Sequence, residues 1–417
     1  MRVFLTNLGC KLNQGETDAI ARRLAGDGHV IVRRLEEADL HVVNSCTVTQ
    51  QAARDSRRSA RRAGRESLAA RTVLTGCWAT GSEPQARRLE GVELVIPNDR
   101  KAELVDRVYQ AFPELAARGA ASASEGASFQ QVRSALPIED GCDMGCSFCV
   151  IPATRGRQRS RDPRAIVADA LALHAAGCRE VVLTGVQISA YRSGTVGLCE
   201  LVSRLVEQTP VGRFRLTSLA PWQVDDRLLE SWPARVCRHL HLSLQSGCDA
   251  TLRRMRRPYT TARFAQLVER ARSAVPGLAV TTDVITGFPG ETEQELRSSL
   301  AFVAALGFAR VHVFTYSERP GTRAASLSGG VPVAERRERT ARMLEVATRS
   351  EREFRRSQVG LHAEVLWEDR RGGHRRGTTD NYLRVRGVCD GALPVGDFEL
   401  VRIRAAPGGE DIEAIPA

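Results

Sequence analysis

The chain has 417 residues, 42% of them hydrophobic and 26% charged, which is enough apolar material for several globular domains and excludes a disordered protein. It has no run of about 18 apolar residues, and its first residues lack the segments of a signal peptide, so we expect a cytoplasmic protein without membrane spans. The net charge of +11 favours a polyanionic partner such as nucleic acid, but only Lys11 and Lys101 among the 60 basic residues are lysine, a bias that GC-rich coding DNA also produces.

Residues 1–112 alternate short apolar strands with helical stretches, which predicts an open parallel α/β sheet. The predicted strands are Val3–Thr6, Leu40–Asn44, Thr72–Thr75 and Leu94–Ile96. Cys10, Cys46 and Cys77 each follow one of these strands within four residues. Because the carboxyl ends of parallel strands share one edge of an open sheet, we expect these cysteines to converge in space.

Residues 113–128 are small and polar and lack periodic apolar positions, which predicts a linker. Residues 129–357 then hold six strand-and-helix units, too few to close an eight-stranded α/β barrel. We therefore expect a partial (β/α)6 barrel whose active face lies at the carboxyl ends of its strands. The predicted strands are Gln131–Ile138, Glu180–Val186, Arg213–Leu219, His239–Gln245, Ala279–Thr286 and Ala309–Tyr316.

A long basic helix from Val333 to about Ser357 ends this unit, and residues 358–417 change to short β-rich runs separated by glycine-rich turns. This change of period predicts a small antiparallel β-barrel. Its predicted strands are His362–Trp367, Tyr382–Arg386 and Phe398–Ile403. The predicted fold class is therefore a multidomain α/β protein that ends in a small all-β domain.

The sequence CDMGCSFC places Cys142, Cys146 and Cys149 within eight residues, directly after the first predicted barrel strand. Soft thiolates at this spacing can bind three irons of a cubane cluster from one loop. No fourth cysteine lies nearby in sequence, since Cys178 falls at a helix end, and the open iron could chelate the amino and carboxylate groups of a small molecule. The other interpretations are a zinc knuckle or cysteines that are merely buried.

This motif, with Phe148 before its last cysteine, resembles the signature of radical S-adenosylmethionine (SAM) enzymes. The resemblance implies a catalytic 4Fe-4S cluster that binds SAM on the three cysteines. It also implies four sets of SAM contacts. Phe148 would lie near adenine, and Ile285 belongs to the ITGFPGE loop. The methionine amino group would bind at Thr184, Gly185 and Val186, and the ribose side at Gln245 and Ser246. A glycine-rich strand end is otherwise often only a turn.

The strings NLGCKLNQGET, NSCTVT and TGCWA resemble the N-terminal domain of methylthiotransferases. In that family this domain precedes a radical SAM core and a C-terminal TRAM β-barrel, so the resemblance covers essentially the whole chain. It implies that Cys10, Cys46 and Cys77 bind a second 4Fe-4S cluster that takes part in sulfur insertion. Taken without the resemblance, three ordinary buried cysteines are the simpler interpretation. The remaining cysteines are interpreted as core or surface residues: Cys178, Cys199, Cys237, Cys248 and Cys389.

The opening string NLGCKLNQGET resembles the branch of that family that acts on threonylcarbamoyladenosine in tRNA, and VNSCTVT and RLTSLAP agree with it. The resemblance implies an enzyme that inserts sulfur at carbon 2 of N6-threonylcarbamoyladenosine next to the anticodon and methylates it. SAM is then both the radical source and the methyl donor. The implied partners are the tRNA substrate and a reducing electron donor, and the sulfur donor stays unidentified.

Two departures from that branch leave the fine substrate contacts open. Gly15 stands in place of its usual tyrosine, and Ala153-Thr154 stands in place of Tyr-Ala. The alternatives of the same class are methylthiotransferases that act on isopentenyladenosine in tRNA or on an aspartate of a ribosomal protein. The alternative of another class is an iron-sulfur redox-sensing RNA-binding protein.

Basic residues just beyond the cysteine loop and in the terminal barrel are candidate RNA contacts. Arg155, Arg157 and Arg159 could neutralise tRNA phosphates. The resemblance to small RNA-binding barrels adds Tyr382 for stacking on bases and Arg384 for backbone contact. The alternative for such residues is a solvated charged surface.

Overall fold

The computed structural model describes residues 1–66, 69–116, 131–388, 395–406 and 412–416. Of the predicted linker, Pro113–Ala116 forms a short helix with Leu115 buried, because this residue still packs on the N-terminal core, and 117–128 lies outside the described residues. Cys389 also lies outside them. Within the described ranges, every helix is too short or too polar to traverse a lipid bilayer.

The N-terminal part forms a parallel sheet with the strand order β2-β1-β3-β4-β5. The strands are β1 (Arg2–Asn7), β2 (Val30–Ile31), β3 (Leu40–Ser45), β4 (Arg71–Gly76) and β5 (Leu94–Ile96). The helices are α1 (Lys11–Gly26), α2 (Gln50–Ala60), α3 (Arg62–Arg65), α4 (Cys77–Gly81), α5 (Glu83–Arg87), α6 (Leu104–Ala111) and α7 (Pro113–Ala116).

Both faces of this sheet are covered by helices, which is why its central strands are apolar without alternation. Leu40 and Val42 of β3 pack on one face with Leu24 of α1, whereas Val43 packs on the other face with Trp78 of α4. The four predicted strands are all present. The sheet therefore holds the loops after β1, β3 and β4 side by side at one edge.

The central part is a partial α/β barrel, as predicted. Two parallel sheets, β6-β9-β12 and β13-β14-β15, are joined by the bridges Phe214–Val236 and Leu219–Leu242. The strands are β6 (Arg133–Pro137), β7 (Glu139–Asp140), β8 (Arg159–Ser160), β9 (Glu180–Thr184), β10 (Arg192–Ser193), β11 (Val196–Gly197), β12 (Arg213–Leu216), β13 (His239–His241), β14 (Ala279–Thr286) and β15 (Arg310–Thr315).

Helices cover the outside of this barrel, and the main core lies between them and the strands. Leu183, Phe214 and Leu242 from the strands pack with Phe264 and Phe308 in that core. The helices are α8 (Ile151–Arg155), α9 (Pro163–Ala175), α10 (Leu198–Gln208), α11 (Asp226–Glu230), α12 (Asp249–Arg254), α13 (Thr261–Ala274), α14 (Glu293–Leu306) and α15 (Val333–Gln358).

The C-terminal part is a closed β-barrel with the strand order β16-β17-β18-β20-β19, consistent with a TRAM domain. The strands are β16 (His362–Arg371), β17 (His374–Thr379), β18 (Arg384–Val388), β19 (Phe398–Ala405) and β20 (Ile412–Pro416). The pairing is antiparallel as predicted except between β18 and β20, which run parallel. The predicted strand that begins at Tyr382 begins instead at Arg384, because Tyr382 has φ +69° and turns the chain.

The terminal barrel closes the amino end of the partial barrel. Arg213 and Arg215 of β12 donate to the backbone carbonyls of Thr378 and Thr379, at 2.7 and 3.0 Å. Both also bind Glu180, the first residue of β9, which is completely buried. The carboxyl end of the partial barrel stays available for chemistry.

Candidate active site and its two cysteine groups

Cys10, Cys46 and Cys77, here the N-terminal cysteine group, lie at one edge of the first sheet. Cys10 caps α1, Cys46 directly follows β3, and Cys77 begins α4 directly after β4. Gly9 has φ +106°, and a Cβ at this position would lie 2.8 Å from the Cys46 sulfur. Glycine is therefore required there for the loops of Cys10 and Cys46 to approach each other.

Polar groups surround the sulfur atoms of the N-terminal cysteine group. The Cys77 sulfur accepts hydrogen bonds from Arg155 Nε at 3.2 Å and from Asn98 Nδ2 at 3.7 Å. Burial, together with the neighbouring Cys77 and Cys10, raises the pKa of Cys46 to about 11. That thiol keeps its proton at neutral pH unless a cation takes the proton's place.

Cys142, Cys146 and Cys149, here the barrel cysteine group, lie on the loop between β7 and α8. The Cys142 sulfur accepts from the Met144 amide at 3.4 Å, and the Cys146 sulfur accepts from Arg257 Nη1 at 3.3 Å. Burial raises the pKa of Cys149 to about 12. The three cysteines are thus half-buried, with an amide of their own loop and the guanidinium of Arg257 directed at two of their sulfur atoms.

Hydrogen bonds to the end of α12 fix the position of the cysteine loop. Ser147 donates its backbone N–H to Met255 O at 3.1 Å and its hydroxyl to Arg254 O at 2.8 Å. The Ala324 amide donates to Ser147 O at 2.7 Å. These bonds hold the middle of a loop that has no regular secondary structure of its own.

The sulfur atoms of each group are too far apart for one zinc ion to bind all three. Thiolates on one zinc ion lie about 4 Å apart, because each Zn–S bond is about 2.3 Å long. Among the described residues, neither group brings its three sulfur atoms within 4.8 Å of one another. Soft thiolates that face amide and guanidinium donors suit an iron-sulfur cluster, whose sulfur atoms accept such hydrogen bonds.

The strand end Thr184–Val186 is held against Glu139. The Gln187 amide donates to Glu139 Oε2 at 2.9 Å, and a Cβ on Gly185 would lie 2.6 Å from the same oxygen. Burial raises the pKa of Glu139 to about 7. Glu139 was not predicted as a site residue, although it lies only three residues before Cys142. Gln187 also connects this strand end to the cysteine loop, because its Oε1 lies 3.8 Å from the Cys142 sulfur.

The residues predicted to lie on the adenine side of SAM pack together as an apolar wall. Phe148 and Ile285 both pack on an apolar cluster that contains Phe288, and the rings of Phe148 and Phe288 meet edge to face at 6.5 Å. Gln245 adopts φ +69° and accepts the Ile285 amide at 2.9 Å. Ser246 is buried, and its hydroxyl accepts from the Cys248 amide at 3.3 Å, so its side chain is already engaged.

A cleft of about 1020 Å³ opens beside Cys142. Its lining is mixed: apolar side chains lie beside amide and hydroxyl groups from Gln158, Gln187, Ser189 and Gln223. Two charges on its wall are neutralised, because Asp225 pairs with Arg227 at 2.7 Å and Glu200 pairs with Arg204. Arg192 is exposed at the same wall, and no ion-pair partner for it is found among the described residues. Arg192 therefore lies at the wall of the cleft where it can meet an anionic ligand.

His241, Asp283 and His312 lie together inside the barrel, with their ligand atoms within 4.8 Å of one another. Their positions on β13, β14 and β15 place them on one face of the sheet. His241 already uses both ring nitrogens, at 3.1 Å from Asp283 Oδ2 and 3.0 Å from Thr281 Oγ1. We therefore interpret His241, Thr281 and Asp283 as a hydrogen-bonded network beside the ring of His312.

The structure corrects two of the predicted RNA contacts. Arg155 is only 1% exposed and is fully engaged inside the molecule, so it cannot reach a phosphate. Tyr382 lies 4.6 Å from His239 and beneath the guanidinium of Arg215, in the interface between the two barrels, so its ring cannot stack on a base. Both side chains are held by contacts with partners that are distant in sequence.

The other predicted RNA contacts lie at the surface. The side chains of Arg157 and Arg159 are 91% and 54% exposed, close to the cysteine loop. Arg384 is exposed at the rim of the terminal barrel. These three can meet a polyanion without any rearrangement.

Two family models match the chain. Residues 136–303 match the radical SAM superfamily, and residues 2–97 match the uncharacterized protein family UPF0004. The first range contains the barrel cysteine group, and the second contains the N-terminal cysteine group.

Curated relatives match over nearly their whole length. The threonylcarbamoyladenosine tRNA methylthiotransferase MtaB of Bacillus subtilis is 33% identical over 92% of this chain and 89% of its own. The same enzyme of Thermotoga maritima is 32% identical over 97% and 94%. The tRNA-2-methylthio-N(6)-dimethylallyladenosine synthase of Agrobacterium fabrum is 34% identical over 97% and 95%.

Solved structures share the fold at low identity. The radical SAM methyltransferase TsrM of Kitasatospora setae, solved with cobalamin and a 4Fe-4S cluster, superposes with a TM-score of 0.55 at 16% identity. The match covers 78% of this chain and 77% of that one.

Proposed function

The chain belongs to the radical SAM tRNA methylthiotransferase family, and we propose that it inserts sulfur at carbon 2 of N6-threonylcarbamoyladenosine next to the anticodon and methylates that sulfur. Members of this family use SAM and 4Fe-4S clusters. The family also contains enzymes named for dimethylallyladenosine, such as the relative from Agrobacterium fabrum. The choice between the two nucleosides therefore depends on the cleft.

The observation that carries the choice is the position of Arg192 at the wall of the cleft beside Cys142. The threonylcarbamoyl group bears a carboxylate and a hydroxyl, whereas the dimethylallyl group is purely apolar. Arg192, for which the described residues supply no ion-pair partner, offers a charge-assisted partner to the carboxylate. A dimethylallyl group has no atom that could pair with this guanidinium, so its binding would gain nothing from Arg192.

Each cysteine group is assigned to one cluster. The barrel cysteine group would hold the cluster that binds SAM, and the N-terminal cysteine group would hold the cluster that handles sulfur. When bound, SAM and its cluster supply a 5'-deoxyadenosyl radical, and SAM also supplies the methyl group. Of the two groups, only the barrel group lies on the loop that borders the cleft.

Side chains of this protein then bind and orient SAM. Phe148 and Ile285 form an apolar wall on the adenine side, and the strand end Thr184–Val186 is proposed for the methionine amino group. Glu139 keeps that strand end in place through the Gln187 amide. Gln245 and Ser246 complete the ribose side of the proposed SAM site.

The remaining assignments concern domains and RNA. We assign residues 1–112 to the sulfur-handling domain, 113–128 to a linker, 129–357 to the radical SAM core and 358–417 to an RNA-binding barrel. Arg157, Arg159 and Arg384 are the proposed phosphate contacts, since their side chains are exposed. A reducing electron donor and a sulfur donor complete the reaction.

Replacing Arg192 with alanine is expected to lower kcat/KM on tRNA that carries threonylcarbamoyladenosine. The loss of a charged hydrogen bond costs about 1.5 to 3 kcal/mol, or roughly ten- to a hundredfold. Steady-state kinetics on this tRNA and on isopentenyladenosine tRNA measures the effect, and the native enzyme should prefer the former. Arg164→Ala, exposed on α9 outside the cleft, is the matched control. A native enzyme that preferred isopentenyladenosine tRNA would contradict the proposed substrate.

A further inference from the structure

Arg155 connects the two cysteine groups. It ends the short helix α8, six residues after Cys149, yet its side chain reaches the N-terminal sheet. Its Nε lies 3.2 Å from the Cys77 sulfur. A residue that follows the loop of the barrel cysteine group therefore contacts a cysteine of the N-terminal cysteine group.

All five N–H donors of Arg155 have acceptors. Nε donates to Cys77, Nη1 donates to Glu16 Oε1 and Asp140 Oδ1 at 2.8 Å each, and Nη2 donates to Asn13 Oδ1 at 2.5 Å and Glu16 Oε2 at 3.2 Å. The side chain is 1% exposed. A planar guanidinium can fill this set of acceptors, whereas the three donors of a lysine cannot.

Carboxylates from both the N-terminal sheet and the loop of the barrel cysteine group hold the charge of Arg155 in place. Glu16 belongs to α1 of the N-terminal sheet and also binds Lys101 at 2.7 Å, while Asp140 precedes Cys142 by two residues. In this buried setting a cation 3.2 Å from a thiolate interacts with it strongly, because little water screens the pair. Positive charge and N–H donors at cluster sulfurs favour the reduced, more negative state.

We propose that Arg155 is a positioning residue that fixes Cys77 and raises the reduction potential of the cluster on the N-terminal cysteine group. The inference rests on the proposed assignment of that cluster. Arg257 is the counterpart in the barrel cysteine group, since it donates to the Cys146 sulfur at 3.3 Å and to Ser243 O at 2.9 Å. Each cysteine group thus has its own guanidinium donor.

The test uses the full-length chain with Cys142→Ala, Cys146→Ala and Cys149→Ala, so that only the N-terminal cluster assembles. In this background, redox titration followed by electron paramagnetic resonance compares native Arg155 with Arg155→Gln. We expect the ratio of reduced to oxidised cluster at a fixed potential to fall at least tenfold, which for a one-electron couple is a shift of about 59 mV to lower potential.

Arg155→Lys keeps the positive charge but loses the donor to Cys77, so a smaller fall of the same sign is expected. The matched control is Arg157→Ala, two residues away and 91% exposed, which should titrate like the background protein. An Arg155→Gln protein that carries its full iron content and titrates like the background would overturn the proposal. If Arg155→Gln does not assemble the cluster, Arg155→Lys decides, and an unchanged ratio there overturns it.

Failure of the cluster assignment gives a different result. A background protein that binds no iron, although Cys10, Cys46 and Cys77 are intact, would reject the proposed second cluster itself. Iron that binds but does not respond to Arg155 would reject only the role of Arg155.

Discussion

Replacing Cys146 with alanine is expected to abolish SAM cleavage, whereas replacing Cys46 with alanine should spare part of the cleavage and stop sulfur insertion. Cys146 is a proposed ligand of the cluster that binds SAM, and its sulfur already receives a hydrogen bond from Arg257. Loss of contacts that merely support a metal ligand costs about ten- to a hundredfold, so loss of the ligand itself should cost more. Cys46 belongs to the N-terminal cysteine group, directly after β3.

The measurement mixes reconstituted protein anaerobically with SAM, reductant and tRNA, and quantifies 5'-deoxyadenosine and the methylthio nucleoside. Cys248→Ser is the matched control, because Cys248 caps α12 and serine is favoured at that position. It should retain both products. Loss of both products in both folded alanine variants would show that the two cysteine groups do not have separate roles in SAM cleavage and sulfur insertion.

Glu180→Ala is expected to destabilise the protein by about 3 to 5 kcal/mol, the usual cost of breaking a buried ion pair. Glu180 is completely buried and binds Arg133, Arg213 and Arg215 at 3.0, 2.6 and 2.7 Å. Its removal leaves three guanidinium groups without their shared anion, at the interface with the terminal barrel. The melting temperature should fall by about 10 °C.

The control for Glu180 is a surface pair. Glu83→Ala removes an exposed partner of Arg87 at 2.6 Å, and such pairs contribute at most about 1 kcal/mol. Burial alone would raise the pKa of Glu180, but Arg215, Arg213 and Arg133 hold it well below its ordinary value. The stabilisation is therefore complete above the unfolded-state pKa of about 4.3 and is lost as the pH falls through the lower folded pKa. Equal melting temperatures of native and Glu180→Ala proteins would contradict this role.

Local patterns and chain topology were enough to predict the architecture. The convergence of the N-terminal cysteine group followed from strand ends alone, because parallel strands place their carboxyl ends at one edge. The count of strand-and-helix units predicted the partial barrel. Two strands of the terminal barrel escaped prediction: the polar β17, with the sequence HRRGTT, has no alternating apolar positions, and β20 follows a turn-rich stretch.

Long-range partners were beyond sequence analysis. Arg155 had the appearance of an exposed RNA contact in a basic run, but Glu16 and Asn13, more than 130 residues earlier, bury it. The ring of Tyr382 is similarly occupied by contacts with Arg215 and His239. Such side chains find their partners only when separate units dock, and no local pattern records that contact.

The most direct test of the proposed function is the nucleoside content of tRNA from cells that lack this gene. Mass spectrometry of the digested tRNA should show N6-threonylcarbamoyladenosine without its 2-methylthio form, and the form should return when the native gene is restored but not the Cys46→Ala gene. Retention of the 2-methylthio form in the deletion strain, or loss of methylthiolated isopentenyladenosine instead, would contradict the proposed function.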